Sequence, residues 1–134
     1  MSFWLMKSEP NVYGWHNLES DGVAPWTDVR NYQARNNMKA MKKGDLVFFY
    51  HSNIGREIVG IMEVVREHYP DPADERFVLL DVTCKQAFET PVTLAAIKAD
   101  PRLANIALIR QSRLSVMPIT PEEWDVLCSL GTQK

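Results

Sequence analysis

Leu46-Val47-Phe48-Phe49-Tyr50, then His51-Ser52-Asn53-Ile54-Gly55-Arg56, then Ile58-Val59-Gly60-Ile61-Met62-Glu63-Val64-Val65, decides how this chain is built. The first run is continuously apolar and reads as a strand covered on both faces. Asn53 to Arg56 is a glycine-containing loop, and Ile58 to Val65 is a second strand, so the three pieces read as a β-hairpin. Working outward, Lys43-Gly44-Asp45 is the turn that feeds the first strand. Pro70-Asp71-Pro72 predicts a loop after the second. Phe77 to Cys84 reads as a third long strand. Phe3 to Met6 reads as a strand near the start of the chain, and Arg113 to Val116 as a last short one.

Helices are expected around these strands. Val12 to Leu18 predicts a helical segment capped by Asn11 and ended by Gly22, followed by a loop from Gly22 to Pro25. Asn31 to Met41 predicts a helix, with Ala34, Met38 and Met41 forming one apolar stripe. Thr93 to Ala99 is a short helix with Thr93 as its cap. Thr120-Pro121-Glu122-Glu123 combines a capping Thr, Pro at the first helical position and Glu at the third, which starts a helix running to about Leu130. Strands outnumber helices and do not alternate regularly with them. The expected architecture is α+β, a small mixed β-barrel with peripheral helices, formed as a single domain over residues 1–134.

Composition narrows the function classes. With 15 basic and 17 acidic residues in 134, the formal net charge is −2. The chain is therefore no bulk polyanion binder, and any nucleic-acid affinity must come from a local basic patch and depend on salt. Cys84 and Cys128 form no Cys-x-x-Cys pair. Neither a zinc site nor a disulfide framework is indicated, and two reduced, mostly buried thiols are expected. The beginning of the chain lacks the pattern of a signal peptide, and no run has the length of a membrane span. A cytoplasmic, monomeric protein is the expectation.

The functional signal is concentrated between Trp26 and Asn37. Trp26-Thr27-Asp28-Val29-Arg30-Asn31-Tyr32-Gln33-Ala34-Arg35-Asn36-Asn37 gathers an indole, a phenol, two guanidiniums and four side-chain amides. A flat, polar, anionic ligand such as a nucleotide suits that set, because rings stack on a base, amides read its edge and guanidiniums hold phosphate. Arg35, Lys39 and Lys42 continue a basic ridge, which reads either as a solvated helix face or as a phosphate-facing one. Three more polar segments stand at strand or helix ends: Lys7-Ser8-Glu9-Pro10, His51-Ser52-Asn53 and Arg110-Gln111-Ser112-Arg113. Trp26 reads either as a packing indole or as one wall of a base slot. Asn31 and Asn36 read as cap or turn residues as readily as edge readers. Trp4 and Trp15 read as packing residues, Trp124 as core, and Tyr50 as at least half buried. His51, without partners at metal-ligand spacing, reads as a hydrogen-bonded structural histidine.

An enzyme built on Glu9, Asp28 and His51 is the competing class. Against it, no serine stands in a nucleophile elbow, and no P-loop or dinucleotide fingerprint is present, so no cofactor is expected. A protein-interaction module using the basic ridge, and a sensor of a small nucleotide-like molecule, remain open beside it.

Taken together, these segments resemble a known family. Trp4-Leu5-Met6-Lys7-Ser8-Glu9-Pro10, Trp26, Val29 to Asn36, Gly44-Asp45 and Phe49-Tyr50-His51-Ser52 carry the likeness. Val59-Gly60, Tyr69-Pro70-Asp71, Arg110 to Val116 and Pro121-Glu122-Glu123-Trp124 extend it over essentially the whole chain. The chain is similar to EVE domains, members of the PUA-like superfamily and relatives of YTH domains. The resemblance implies a barrel of five or six strands with helices around it. It also implies a non-catalytic role in binding nucleic acid, DNA or RNA, that carries a modified base, with eukaryotic relatives associated with modified cytosine. On that view a base pocket is expected from Lys7, Ser8, Glu9, Trp26, Val29, Asn31, Tyr32, Tyr50, His51 and Ser52. Backbone contacts are expected from Arg30, Arg35, Lys39, Arg110 and Arg113. No metal is expected.

Overall fold

The structure is a computed structural model and describes residues 2–132. The hairpin predicted from residues 46–65 is its centre. β3 (Leu46–His51) pairs antiparallel with β4 (Glu57–Asp71), which pairs antiparallel with β5 (Asp74–Thr93). β1 (Phe3–Ser8) lies parallel to β3, with Phe3 opposite Leu46 and Ser8 opposite His51. β6 (Val116–Ile119) closes one edge against β1, and β2 (Val23–Pro25) the other against β5. The order β2-β5-β4-β3-β1-β6 makes one mixed sheet of six strands. Helices α1 (Trp15–Asp21), α2 (Tyr32–Ala40), α3 (Leu94–Ala99), α4 (Ala107–Arg110) and α5 (Pro121–Gly131), with a 3-10 turn at Pro101–Leu103, surround it.

The α+β class and the strand number agree with the sequence reading, but the ladder does not close into a barrel. Its two edges, β2 and β6, are short and each contains a proline, Pro25 and Pro118. A proline offers no N–H to a neighbour, which blunts an edge. Several boundaries also differ from expectation, β5 among them, which runs from Asp74 to Thr93 rather than Phe77 to Cys84. Residues 23–25 pair as an edge strand instead of forming a loop, held by Thr83 Oγ1 donating to Gly22 O at 2.6 Å and Trp26 N–H to Leu80 O at 2.7 Å. β4 runs through Pro70 and Asp71 because a register shift there accommodates the proline. The reversal is the two residues Pro72-Ala73, where Ala73 N–H donates to Asp71 Oδ1 at 2.8 Å. The last strand is displaced to Val116–Ile119, because Gln111 to Leu114 is taken up by a turn, Leu114 N–H to Gln111 O at 3.0 Å.

The first helix begins at Trp15, later than predicted. Val12 and Tyr13 are held in a turn by Glu9 O, at 3.0 and 2.8 Å. Gly14 then serves as the N-cap, its N–H donating to Asn17 Oδ1 at 2.7 Å. The other predicted caps are in place. Asn31 Oδ1 accepts from Ala34 N–H at the start of α2, and Thr93 Oγ1 from Ala96 N–H at the start of α3. Thr120 and Glu123 form a reciprocal capping box on α5. α5 delivers Trp124, which stacks on Phe48 at 3.9 Å and on Phe3 at 4.4 Å between ring centroids. Trp15 packs edge-on to Phe49. Cys84 and Cys128 are free and half-buried, each thiol pushed up to about 11 by burial.

A candidate nucleotide pocket at the ends of the parallel strands

The carboxyl ends of β1 and β3, the only parallel pair in the described sheet, open onto a cavity of about 640 Å³. Its volume lies within the range of about 300–1,000 Å³ that suits small-molecule ligands. Four separated segments line it. Lys7, Ser8 and Glu9 come from the end of β1, with Ser52 beside them from the end of β3. The stretch from Ala24 to Val29 forms a second wall. Val12 and Tyr13, with Asp21, supply a third, and Ser112, Arg113 and Ser115 a fourth.

Hydrogen bonds between these walls fix the shape. Ser52 N–H donates to Ser8 O at 2.9 Å, and Lys7 N–H to Ser115 O at 2.9 Å. Ser8 Oγ donates to Tyr13 O at 2.6 Å, tying the strand end to the turn before α1. The Lys7 ammonium donates to Ser112 O at 2.8 Å, and burial lowers its pKa from the ordinary lysine value. Tyr13 Oη donates to Asp21 Oδ2 at 2.7 Å. Burial, then that hydrogen bond and the aspartate charge, raises the phenol pKa, so it stays a neutral donor. Glu9 Oε1 accepts from Asn53 Nδ2 at 2.6 Å.

Trp26 is 6% exposed and meets Phe49 edge-on at 5.3 Å. The indole therefore packs into the core, and its remaining surface lines the cavity. Asp28, two residues on, has φ of +64°, a left-handed backbone uncommon for a residue with a side chain. Strain of this kind persists where surrounding structure enforces it, and here it turns the chain between Trp26 and α2.

Of the residues expected in a base pocket, Lys7, Ser8, Glu9, Trp26, Val29 and Ser52 line this cavity, and so does Arg113 from the expected backbone set. Asn31, Tyr32, Tyr50 and His51 do not. Asn31 caps α2 and borders a second, smaller hollow. Tyr32 is 52% exposed and stacks on Phe77 at 5.3 Å. Tyr50 is 3% exposed, its ring centroid 5.9 Å from the Lys7 ammonium. His51 Nε2 accepts from Trp15 N–H at 3.2 Å, and burial, followed by the nearby His16, lowers its pKa. In that position it accepts from the start of α1.

The basic residues are dispersed. Arg30 binds Asp71 at 3.1 Å and lies over Phe77, while Arg35 donates to Arg76 O at 3.1 Å and lies over Tyr32. Lys39 is exposed in the last turn of α2, and Arg110 donates to Asn105 Oδ1 at 2.8 Å. Sequence reasoning missed Val12, Tyr13, Asp21 and Ser115. Tyr13 reaches the site only because Gly14, not Asn11, caps α1, and no local pattern announced that. Among the described residues no group of three or more His, Cys, Asp or Glu side chains is arranged to hold a metal, and no helix is long and apolar enough to cross a membrane.

A mixed six-stranded sheet with a part-apolar pocket at the ends of its parallel strands defines a small α+β fold with room for a ligand. The EVE domain pattern matches residues 2–130, and the chain belongs to that family. Human thymocyte nuclear protein 1 is 34% identical over 96% of this chain and 73% of its own length. A Rhodopseudomonas palustris protein solved by NMR is 51% identical with a TM-score of 0.93, over 98% of this chain and 93% of its own. The crystal structure of human THYN1 protein in complex with DNA containing 5-methylcytosine matches with a TM-score of 0.89 and 32% identity, over 100% of this chain and 99% of that one.

Proposed function

We propose that this protein is a non-catalytic nucleic-acid-binding domain that takes a modified base, of the methylated or hydroxymethylated cytosine type, out of its stack and into the cavity behind Lys7, Ser8 and Trp26. The observation that carries this reading is the cavity itself. It combines about 640 Å³ of room with an indole wall, several hydroxyl and carboxylate groups, and a bordering arginine. The human relative solved with 5-methylcytosine-containing DNA supports the ligand class.

In this mechanism the flipped base slides along Trp26, with Val29 and Pro25 as apolar neighbours. Stacking and wall contact of this kind contribute about 1–3 kcal/mol per base. Lys7 and Ser8 fix the polar edge, because their own hydrogen bonds hold them in place before the ligand arrives. A buried methyl adds only about 0.8 kcal/mol by area. Larger discrimination has to come from a void or an unpaired group left when the unmodified base is bound. Arg113 meets the phosphate. The hydrolase alternative keeps Glu9 and Asp28 at the cavity but loses its histidine, because His51 Nε2 accepts from Trp15 N–H and the ring does not line the cavity.

The test is binding to matched short DNA and RNA oligonucleotides, unmodified or carrying methylated cytosine, hydroxymethylated cytosine or methylated adenine, at two salt concentrations. One modified member is expected to bind tighter. Trp26→Phe should weaken that member more than its unmodified match, with thermal melting confirming the fold. Arg113→Gln should weaken all members about equally and reduce the salt slope by about 1. Equal affinity for every member would defeat the modified-base reading.

A further inference from the structure

A second hollow, of about 340 Å³, adjoins the pocket and shares two of its wall residues, Ser112 and Arg113. Its remaining lining is Asn31, Gln33, Gln111 and Leu114. Asn31 is committed to capping α2, and Leu114 is buried as a floor. The groups that face a ligand are therefore the two glutamines. Gln33, in the first turn of α2, and Gln111, after α4, are joined by Gln33 Nε2 donating to Gln111 Oε1 at 2.7 Å.

That bond has a specific consequence. Each primary amide offers donor hydrogens on nitrogen and an acceptor on oxygen. Joined once, the pair keeps a free acceptor, Gln33 Oε1, and a free donor, Gln111 Nε2. If both amides were turned over, the pair would still present one of each. A donor and an acceptor carried on two amides joined by a mutual bond offer the kinds of group that the edge of a nucleobase pairs with, as a single Asn or Gln does for adenine. Both side chains are exposed, so the pair is open to a ligand. Arg113 stands at the junction of the two hollows. Unlike Arg30, Arg35, Arg76 and Arg110, it makes no hydrogen bond or ion pair with another described residue.

We infer that the smaller hollow is a second nucleotide site, in which the Gln33–Gln111 amide pair hydrogen-bonds the edge of the base next to the modified one, while Arg113 holds the phosphate joining the two nucleotides. The protein thus reads a dinucleotide, with the modification in one hollow and its sequence context in the other. This rests on reading the larger cavity as the base slot.

The experiment uses single-stranded five-nucleotide probes with a central cytosine, modified or unmodified, and each of the four bases in turn on either side. For the intact protein, one flanking base on one side should be preferred, by about 5- to 150-fold if a full bidentate contact is made. Gln33→Ala and Gln111→Ala, both at exposed positions, should flatten that preference to within about twofold and leave the ratio of modified to unmodified affinity unchanged. Arg113→Gln should lower affinity for all flanks alike. Wild-type protein indifferent to flanking bases, or a preference that survives both glutamine substitutions, would overturn the inference while leaving the modified-base reading standing. A modified-to-unmodified ratio of one at every flank would instead overturn the base-slot reading, and this inference with it.

Discussion

Asp45 and His51 show how single residues hold the site's scaffold. Asp45 is 4% exposed. Burial raises its pKa, but hydrogen bonds from Lys42 N–H, the Trp4 indole N–H and Ser2 N–H outweigh it and leave the pKa below the ordinary value. A carboxyl depressed on folding stabilises above its unfolded pKa, about 3.9, and loses that contribution as pH falls through the folded value. Asp45→Ala is expected to cost about 1–3 kcal/mol at pH 7, read by urea denaturation, and progressively less as the pH falls below about 3.9. Histidine works in the opposite chemical sense but in the same direction. Because its folded pKa is lowered, the unfolded chain binds the extra proton first, so stability falls as pH drops below about 6.5 and the fall ends at the folded pKa. Protonation also removes the acceptor used by Trp15 N–H. His51→Gln, whose amide oxygen can still accept, should show a flatter stability profile between pH 7 and 5 than the wild-type protein.

Between neighbouring elements, close approach matters more than propensity. β4 passes under α1 at Gly60, where a Cβ would lie 2.5 Å from Trp15 Cη2 and 2.8 Å from the Gln86 carbonyl oxygen. The backbone oxygen cannot swing aside, so Gly60→Ala should destabilise by about 1–3 kcal/mol, seen as a lower Tm. Thr120→Ala removes one half of the α5 capping box and should cost about 1 kcal/mol in the same assay. Elements specified by short-range chemistry were legible in the sequence. The apolar run of β3, the caps at Asn31, Thr93 and Thr120, and the turn at Gly44, with φ of +93°, are read from neighbouring residues alone. The extent of β4 and β5 was not, because both continue past their apolar segments through register shifts that depend on the partner strand. Residues 23–25 have too little alternation to announce a strand; pairing with β5 makes them one.

At the scale of the molecule, the site belongs to no single segment. That Lys7, Ser8 and Trp26 stand around a cavity was readable because aromatic and polar groups occur together at strand ends. Tyr13, Asp21 and Ser115 were not, since only tertiary pairing delivers them. Tyr50 and His51 show the converse: they sit beside Ser52 in sequence, yet their side chains serve the interior. A ligand bound by four segments binds the native state alone. Saturating the pocket at about 100 times Kd should therefore stabilise the fold by about 2.7 kcal/mol, measurable as a rise in Tm with the preferred oligonucleotide and no rise with its unmodified match at equal concentration if that binds much more weakly.

The parallel pairing of β1 with β3 also sets a timetable. β3, β4 and β5 are consecutive hairpins and can zip locally. β1 must be brought to Leu46 across the whole excursion that carries Tyr13, Trp26 and α2, and β6 must then cross back from the far side of β5 to pair with β1. Such long closures are slow relative to hairpin formation. On the ribosome, a nascent chain would hold most of its sheet before the turn carrying Ser112, Arg113 and Ser115 had emerged, so the pocket becomes competent only once synthesis has passed Ile119. Binding competence thus reports late in folding, and a refolding assay read by ligand capture should lag one read by strand formation.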